Sequence, residues 1–431
     1  MKKKIVSGLL AASMVMSLAA CGSSASSTAA SSEAASSTET ASSEAASTGD
    51  AASAGTPIKL GAIGPITGGA AVYGNAVKNG EELAVKEINE AAGTTVFEWQ
   101  FQDDEHDAEK SVNAYNTLKD WGMQVLAGPV TSTPSLAVAA ECVNDQMFML
   151  TPSASAEDVA KAGDNVFQMC FTDPNQGVVS ADYIADKGLG TKIGVIYDAS
   201  DAYSTGIYGA FQTEAAAKGL EIVAAESFTG DNKSDLSTQV AKCKDAGADL
   251  LFLPIYYTET TQILSAASKI GYEPVFFGCD GMDGILAVDG FDTSLAEGLM
   301  MLCPFSAYGE DDTTKNFVAA YEAAYGETPN QFAADAYDCV YAIYAAYEAG
   351  VINGDMTAAE MCDALKSYFT SSSFSGTTGE GQTWDAGGFV SKDPKVYVIT
   401  EGAYALADCF LTLPHITSQR WLFEHGSAAT F

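Results

Sequence analysis

The chain has 431 residues, with 56 acidic against 21 basic side chains and a formal net charge of −35. That balance argues against a nucleic-acid partner and against adhesion to anionic lipid, and a single arginine, Arg420, weakens any phosphate-binding reading. A hydrophobic content of 47% is globular, and the stretch from about Thr56 onward exceeds one ordinary domain and predicts two lobes.

The N-terminus reads as a targeting segment. Lys2-Lys3-Lys4 precede an apolar run from Ile5 to Ala20, too short for a spanning helix, which needs about 20 apolar residues. Leu18-Ala-Ala-Cys21 resembles the bacterial lipobox, which implies a signal peptide over 1–20 and an acylated Cys21 as mature N-terminus. The alternative is a plain secretory signal with an incidental cysteine. Residues 21–55 are Ser, Ala, Thr and Gly with a few acids, among them Glu33, Glu39, Glu44 and Asp50. Such a stretch buries too little apolar surface to offset chain entropy and predicts a disordered tether.

From Ile58 the pattern alternates strand and helix. Ile58–Ile63 predicts a strand, Val72–Ala92 a helix with Val77, Gly80, Leu83, Ala84 and Ile88 on one stripe, Val96–Gln102 a strand and Ala108–Trp121 a helix. The strand 123–127 leads into Leu126-Ala-Gly-Pro-Val-Thr-Ser-Thr-Pro-Ser135 and a helix to about Asn144. A strand, a hydroxyl-rich turn and a helix start make an anion site, because orphan N–H groups and the positive dipole end face the turn. The turn carries no charged residue, so it suits one small carboxylate. Alone, it reads more readily as a capped helix start with Thr133 as N-cap and Pro134 at N1. Met147–Leu150 is the next strand, followed by a second hydroxyl-bearing loop, Thr151-Pro-Ser-Ala-Ser155, and a helix from Ala156.

After Pro174 a similar series begins again. Lys192–Tyr197, Glu221–Ser227, Leu250–Pro254 and Pro274–Phe277 predict strands. Helices at Tyr203–Lys218, Leu236–Ala246 and from about Glu259 to Ile270 separate them. Alternation of this kind gives parallel sheets covered by helices, with ligands beyond the C-terminal strand ends. Past Leu299–Cys303 come helices at Thr313–Tyr325, Gln331–Gly350 and Thr357–Tyr368, and Gln382–Asp385 with Val396–Thr400 predicts a short β pair. The fold class is therefore α/β, with two doubly wound parallel-sheet lobes. Apart from Cys21 the cysteines are widely spaced, with no Cys-x-x-Cys pair, so a structural zinc site is not expected. They could pair in an exported protein or stand as free core thiols.

Taken in order, Ile58-Lys-Leu-Gly-Ala-Ile-Gly-Pro-Ile-Thr-Gly68, Tyr73-Gly, Asp103-Asp104, Gly128-Pro-Val-Thr-Ser132, Thr151-Pro-Ser153, Asp198 with Tyr203, Tyr256-Tyr257 and Gly278-Cys-Asp-Gly281 resemble the leucine/isoleucine/valine-type substrate-binding lipoproteins of ABC importers. The resemblance covers about Ile58 to Ala407. It implies the type I periplasmic-binding fold, with a three-strand hinge and an interlobe cleft. It further implies that Ser132 and Thr131 hold a ligand α-carboxylate, that Ser153 and Ser155 assist at the amino and carboxyl groups, and that Asp280 pairs with the α-ammonium. Tyr73, Tyr203, Tyr256 and Phe332 match pocket aromatics. The family often has Glu where Asp280 stands and Thr where Ser155 stands. The tail 409–431 matches nothing recognisable.

The lobes are expected at 56–172 plus 305–378 and at 173–304 plus 379–408. Asp103-Asp-Glu-His-Asp107 has metal-ligand residue types, but neighbours on a strand end point apart, and Asp107 reads better as a helix N-cap. No nucleophile–base pattern occurs, so no enzyme, metal or cofactor is expected. The reading is a lipid-anchored, extracytoplasmic monomer that captures an amino acid and presents it to an ABC permease. A sensor ectodomain of the same fold is the alternative, and an amide or urea could replace the amino acid.

Overall fold

The structure, a computed structural model, describes residues 55–407. The expected signal peptide, the Cys21 lipidation point, all but the last residue of the tether, and the tail from Cys409 lie outside the described residues.

The first series runs β1 (Ile58–Gly64), α1 (Ala71–Ala92), β2 (Phe97–Asp103), α2 (Ala108–Trp121), β3 (Val125–Ala127), α3 (Ser132–Asp145), β4 (Met149–Thr151), α4 (Glu157–Ala160) and β5 (Val166–Gln168). These strands form a parallel five-stranded sheet in the order β2-β1-β3-β4-β5. Inner strands are apolar along their whole length because helices cover both faces. Val125, Ala127, Phe148 and Leu150 face one core, while Leu126, Met149 and Val166 face the other. Asp107 caps α2, accepting the Lys110 N–H at 2.9 Å, as its sequence position predicts.

The second series is α5 (Asp173–Lys187), β6 (Lys192–Asp198), α6 (Ala202–Lys218), β7 (Glu221–Phe228), α7 (Ser237–Asp245), β8 (Leu250–Leu253), α8 (Tyr257–Lys269), β9 (Val275–Gly278) and β10 (Met300–Cys303). The chain then makes α9 (Asp312–Tyr325), α10 (Gln331–Glu348), α11 (Ala358–Phe369), β11 (Phe374–Gly376), β12 (Gly379–Gln382), β13 (Lys395–Thr400) and β14 (Ala403–Leu406). Helices α10 and α11 return to the first sheet, where Cys339, Val340, Leu365 and Phe369 complete its core. Gly80 makes room for that return, since a Cβ there would lie 2.2 Å from the Ala333 carbonyl oxygen.

The second sheet has the order β14-β13-β10-β9-β8-β6-β7. It is parallel from β10 through β7, in keeping with the expected doubly wound α/β fold, and β13 and β14 add antiparallel strands beyond β10. Glu401 and Gly402 turn between them at φ 51° and 74°, the doubly left-handed turn that suits a two-residue hairpin. The predicted pairing of Gln382–Asp385 with Val396–Thr400 is corrected. β12 pairs with β11, and Trp384 is buried in the first sheet's core, its Nε1–H donating to the Gln168 carbonyl at 2.8 Å. Strand β5 and helix α5 are absent from the sequence reading. The described cysteines, Cys142, Cys170, Cys243, Cys279, Cys303, Cys339 and Cys362, are all free and buried.

Candidate functional site

Strand ends and helix starts from both sheets converge on one small cavity. The turn after β3 supplies Val130, Thr131 and Ser132, and the loop after β4 supplies Ser153. The turn after β9 supplies Asp280 and Gly281. Tyr73, Tyr203, Tyr256 and Phe332 stand at the starts of α1, α6, α8 and α10 and close the walls.

One end of the cavity is built for an anion. Helix α3 starts at Ser132, and Thr131 is its N-cap residue, extended at φ −107°, with no side-chain cap bond. Thr133 and Pro134 therefore lie inside the first turn, which corrects the reading of Thr133 as cap. Ser132 Oγ accepts the Ala156 N–H at 3.2 Å, leaving its own hydrogen to donate. Ser153 Oγ donates to the Val130 carbonyl at 2.7 Å, and Thr151 Oγ1 to the Pro129 carbonyl at 2.6 Å, so the turn is held rigid from below. No Lys or Arg lines the cavity. The helix dipole and hydroxyl donors are what remain to hold a carboxylate.

The other end carries a bare acid. Asp280 is 4% exposed, and its Oδ1 has no hydrogen-bond partner. Its N–H donates to Gln176 Oε1 at 3.1 Å and its carbonyl accepts Gln331 Nε2–H at 2.9 Å, so its backbone is fixed from two sides. Burial pushes the carboxyl up to about 7, against the Tyr203 hydroxyl, the Gln176 amide and the Gly281 N–H. Leaving a buried carboxylate unpaired costs several kcal/mol unless it takes a proton or a cation. The arrangement suits an ammonium.

Between the ends lies an aromatic box. The Tyr73 ring centroid is 5.3 Å from Tyr256 and 4.4 Å from Phe332, and Tyr203 stacks on Tyr256 at 5.0 Å. Tyr73 Oη donates to the Gly281 carbonyl, while the Gly281 N–H donates to Tyr203 Oη at 2.9 Å. A Cβ at Gly281 would sit 2.7 Å from Tyr203 Oη and 2.9 Å from Tyr256 Cδ1, so only glycine fits there. A larger opening of about 1650 Å³ flanks α1 and Tyr404. Its buried acid, Asp283, is already engaged, accepting N–H bonds from Gly284 and Gln331 at 2.8 Å each.

The family model for periplasmic binding proteins matches residues 57–403. The chain belongs to the periplasmic binding protein family. It is 32% identical over 228 residues to the Leu/Ile/Val-binding protein homolog 3 of Brucella melitensis, covering 52% of this chain and 61% of that protein. The match thus spans less than two thirds of that relative's length. It is 26% identical over 295 residues to the leucine-, isoleucine-, valine-, threonine- and alanine-binding protein of Pseudomonas aeruginosa, covering 67% of this chain and 78% of that one. Among solved structures it is similar to the branched-chain amino acid transporter substrate-binding protein LivJ of Streptococcus pneumoniae in complex with isoleucine. There the TM-score is 0.72 and the identity 28%, covering 81% of this chain and 97% of that chain.

In this periplasmic binding protein the residues named from sequence meet in one place, with one exception. Ser155 is buried behind the wall rather than on it, its carbonyl accepting the Asp173 N–H at 2.9 Å. Sequence reasoning missed Gln176, because α5 was not recognised, and Gly281, whose backbone rather than side chain joins Tyr73 to Tyr203. It also missed Asp173, a second buried acid whose carboxyl oxygens have no hydrogen-bond partner and whose pKa burial raises well above the ordinary range. Asp103 accepts the Ile66 and Glu105 N–H groups at 3.0 Å, and Asp104 accepts the His106 N–H at 3.0 Å. Both acids thus shape the loop before α2.

Proposed function

We propose that this periplasmic binding protein captures an apolar amino acid of the leucine, isoleucine and valine class and delivers it to the permease of an ABC importer. The observation that carries the reading is the cavity shared by Ser132, at a helix N-terminus, and Asp280, a buried acid opposite with one unpartnered oxygen. A zwitterion answers both ends, with charge-assisted bonds at each. The aromatic box suits an aliphatic side chain, and the ligands for which the relatives are named point the same way. Thr131, Ser132 and Ser153 hold the carboxylate end, Asp280 the ammonium, and Tyr73, Tyr203, Tyr256 and Phe332 the side chain. Ser155 supports the loop from behind.

The protein works outside the cytoplasm as a monomer, held to the membrane through Cys21, and catalyses nothing. Its lobes are 56–172 plus 305–378 and 173–304, with the third crossing moved from about 379 to beyond Val390, because Trp384 packs with the first sheet. Isothermal titration against a panel of amino acids tests the function. Binding of leucine, isoleucine or valine, lost in Asp280→Ala, is the expected result; silence across the panel sinks it. Uptake of leucine by vesicles carrying the neighbouring permease and ATPase gene products, only when this protein is added, separates delivery from sensing.

A further inference from the structure

The loop before α2 brings a histidine to the cavity wall. His106 Nδ1 lies 2.8 Å from Thr131 Oγ1, and Thr131 lines the cavity. That hydroxyl makes no cap bond to its own helix, so the ring is its partner on the side away from the cavity. The loop is strained to place the ring there. Glu105 and His106 stand consecutively at φ 50° and 60°, a left-handed conformation that side-chain-bearing residues rarely adopt. Asp103 and Asp104 hold them in it through the N–H bonds described above. The ring edge rests on Tyr256, at 5.6 Å between centroids.

Hydrogen arithmetic gives this contact a role. A threonine hydroxyl has one proton. If Thr131 gives it to a ligand carboxylate, the bond to His106 survives only when Nδ1 carries a hydrogen and donates. If instead Thr131 donates to a bare Nδ1, its lone pairs face the carboxylate and repel it. The ring's charged neighbours line a second small cavity across from Thr131: Asp198 at the end of β6, Asp201 at the start of α6, Glu259 on α8, and Lys233. Burial, with Lys233, lowers the ring's pKa, and the three acids offset this only in part.

We propose that His106 is the positioning residue that makes Thr131 a donor to the ligand's carboxylate, and that ligand binding fixes the Nδ1–H form of the ring. This rests on the amino-acid reading of the cavity. The site then distinguishes a carboxylate from an isosteric amide partly through a side chain that never touches the ligand.

The test uses the full chain and L-leucine as probe. In protein labelled with 15N-histidine, the His106 resonances, assigned by their loss in His106→Asn, move on adding leucine at pH 8 toward the Nδ1-protonated form. His106→Ala weakens leucine binding by roughly tenfold, the loss expected for one charge-assisted bond. His106→Asn, whose amide N–H reaches the same place, restores most of it. In a Thr131→Val background His106→Ala has no further effect, because the two act as one unit. If His106→Ala costs as much in that background as in the parent, or Nδ1 stays bare in the leucine complex, the positioning role is wrong and the binding function stands. If the parent binds neither leucine nor isoleucine nor valine, the proposed function fails and this inference with it.

Discussion

A single buried carboxylate sets the chemistry at the residue scale. Asp280 has an unpartnered oxygen and a carboxyl that burial lifts to about 7. An ammonium beside it favours the charged form and lowers that value. The complex therefore carries fewer protons at Asp280 than the empty protein does. Affinity for leucine rises with pH, by up to roughly tenfold per unit, until the pH passes about 7 and then levels off. Below that point each binding event releases a proton. Calorimetry at pH 6 in buffers of different ionisation enthalpy checks this: apparent heats should differ with buffer at pH 6 and converge at pH 8.5. Asp280→Asn keeps the shape without the charge. It should cost at least about 2–3 kcal/mol of affinity, the penalty for a buried cation left without its partner, and should flatten the pH profile. Ser132 was legible in the sequence as part of a hydroxyl-rich turn between a strand end and a helix start, whereas Tyr73 and Asp280 were legible only through the resemblance to the Leu/Ile/Val-type family. His106 was not, because its role depends on a contact with Thr131 across 25 residues.

At the scale of elements, what the sequence concealed has a separate physical origin in each case. Helix α1 was legible because its apolar stripe repeats at helical spacing over 22 residues. Helix α5 carries Gly177 and the β-branched pair Val178-Val179 in its second turn, all poor helix formers. Tertiary packing overrides them. Gly177 sits against α6, where a Cβ would lie 2.5 Å from the Ile207 carbonyl oxygen. Gly177→Ala is thus expected to lower stability by ~1–3 kcal/mol through overpacking, although the same change in an exposed helix stabilises by ~1 kcal/mol. Urea unfolding gives the sign directly, and a gain in stability would mean α5 and α6 do not pack as described. Strand β5 was hidden by its brevity, at 3 residues, too few for any alternation to register. The β13–β14 hairpin was hidden because its turn is Glu401-Gly402 rather than one of the Asn-Gly or Asp-Gly pairs that announce such turns.

Across the whole molecule each sheet has a core of its own, and a further cluster, in which Tyr73, Val77 and Val130 pack with Ile196, Leu251 and Leu253, runs between them; a single polar joint over the cavity can be removed without opening any of these. One joint lies beside the site. Thr133 Oγ1, in the first turn of α3, donates to Asp201 Oδ1 at 2.9 Å and accepts the Ala202 N–H at 3.3 Å, at the start of α6. It faces outward from the same turn whose neighbours Thr131 and Ser132 face the cavity, so closing the cleft makes this joint and ligand contact together. A ligand that touches both sheets favours the closed arrangement only by its differential affinity for it. Removing the joint raises the free energy of the closed state and leaves the open one alone. Thr133→Val should therefore weaken leucine binding about five- to tenfold, equivalent to ~1–1.4 kcal/mol. The loss should appear mainly as faster release, since the bound complex reopens more readily while encounter is unchanged. The melting temperature without ligand should stay close to the parent's, and the upward shift with saturating leucine should shrink in step with the weaker affinity. Stopped-flow tyrosine fluorescence reads release, and scanning calorimetry reads the shifts. Unchanged release in Thr133→Val would place the control of closure elsewhere, at the Tyr73–Gly281 contact inside the cavity.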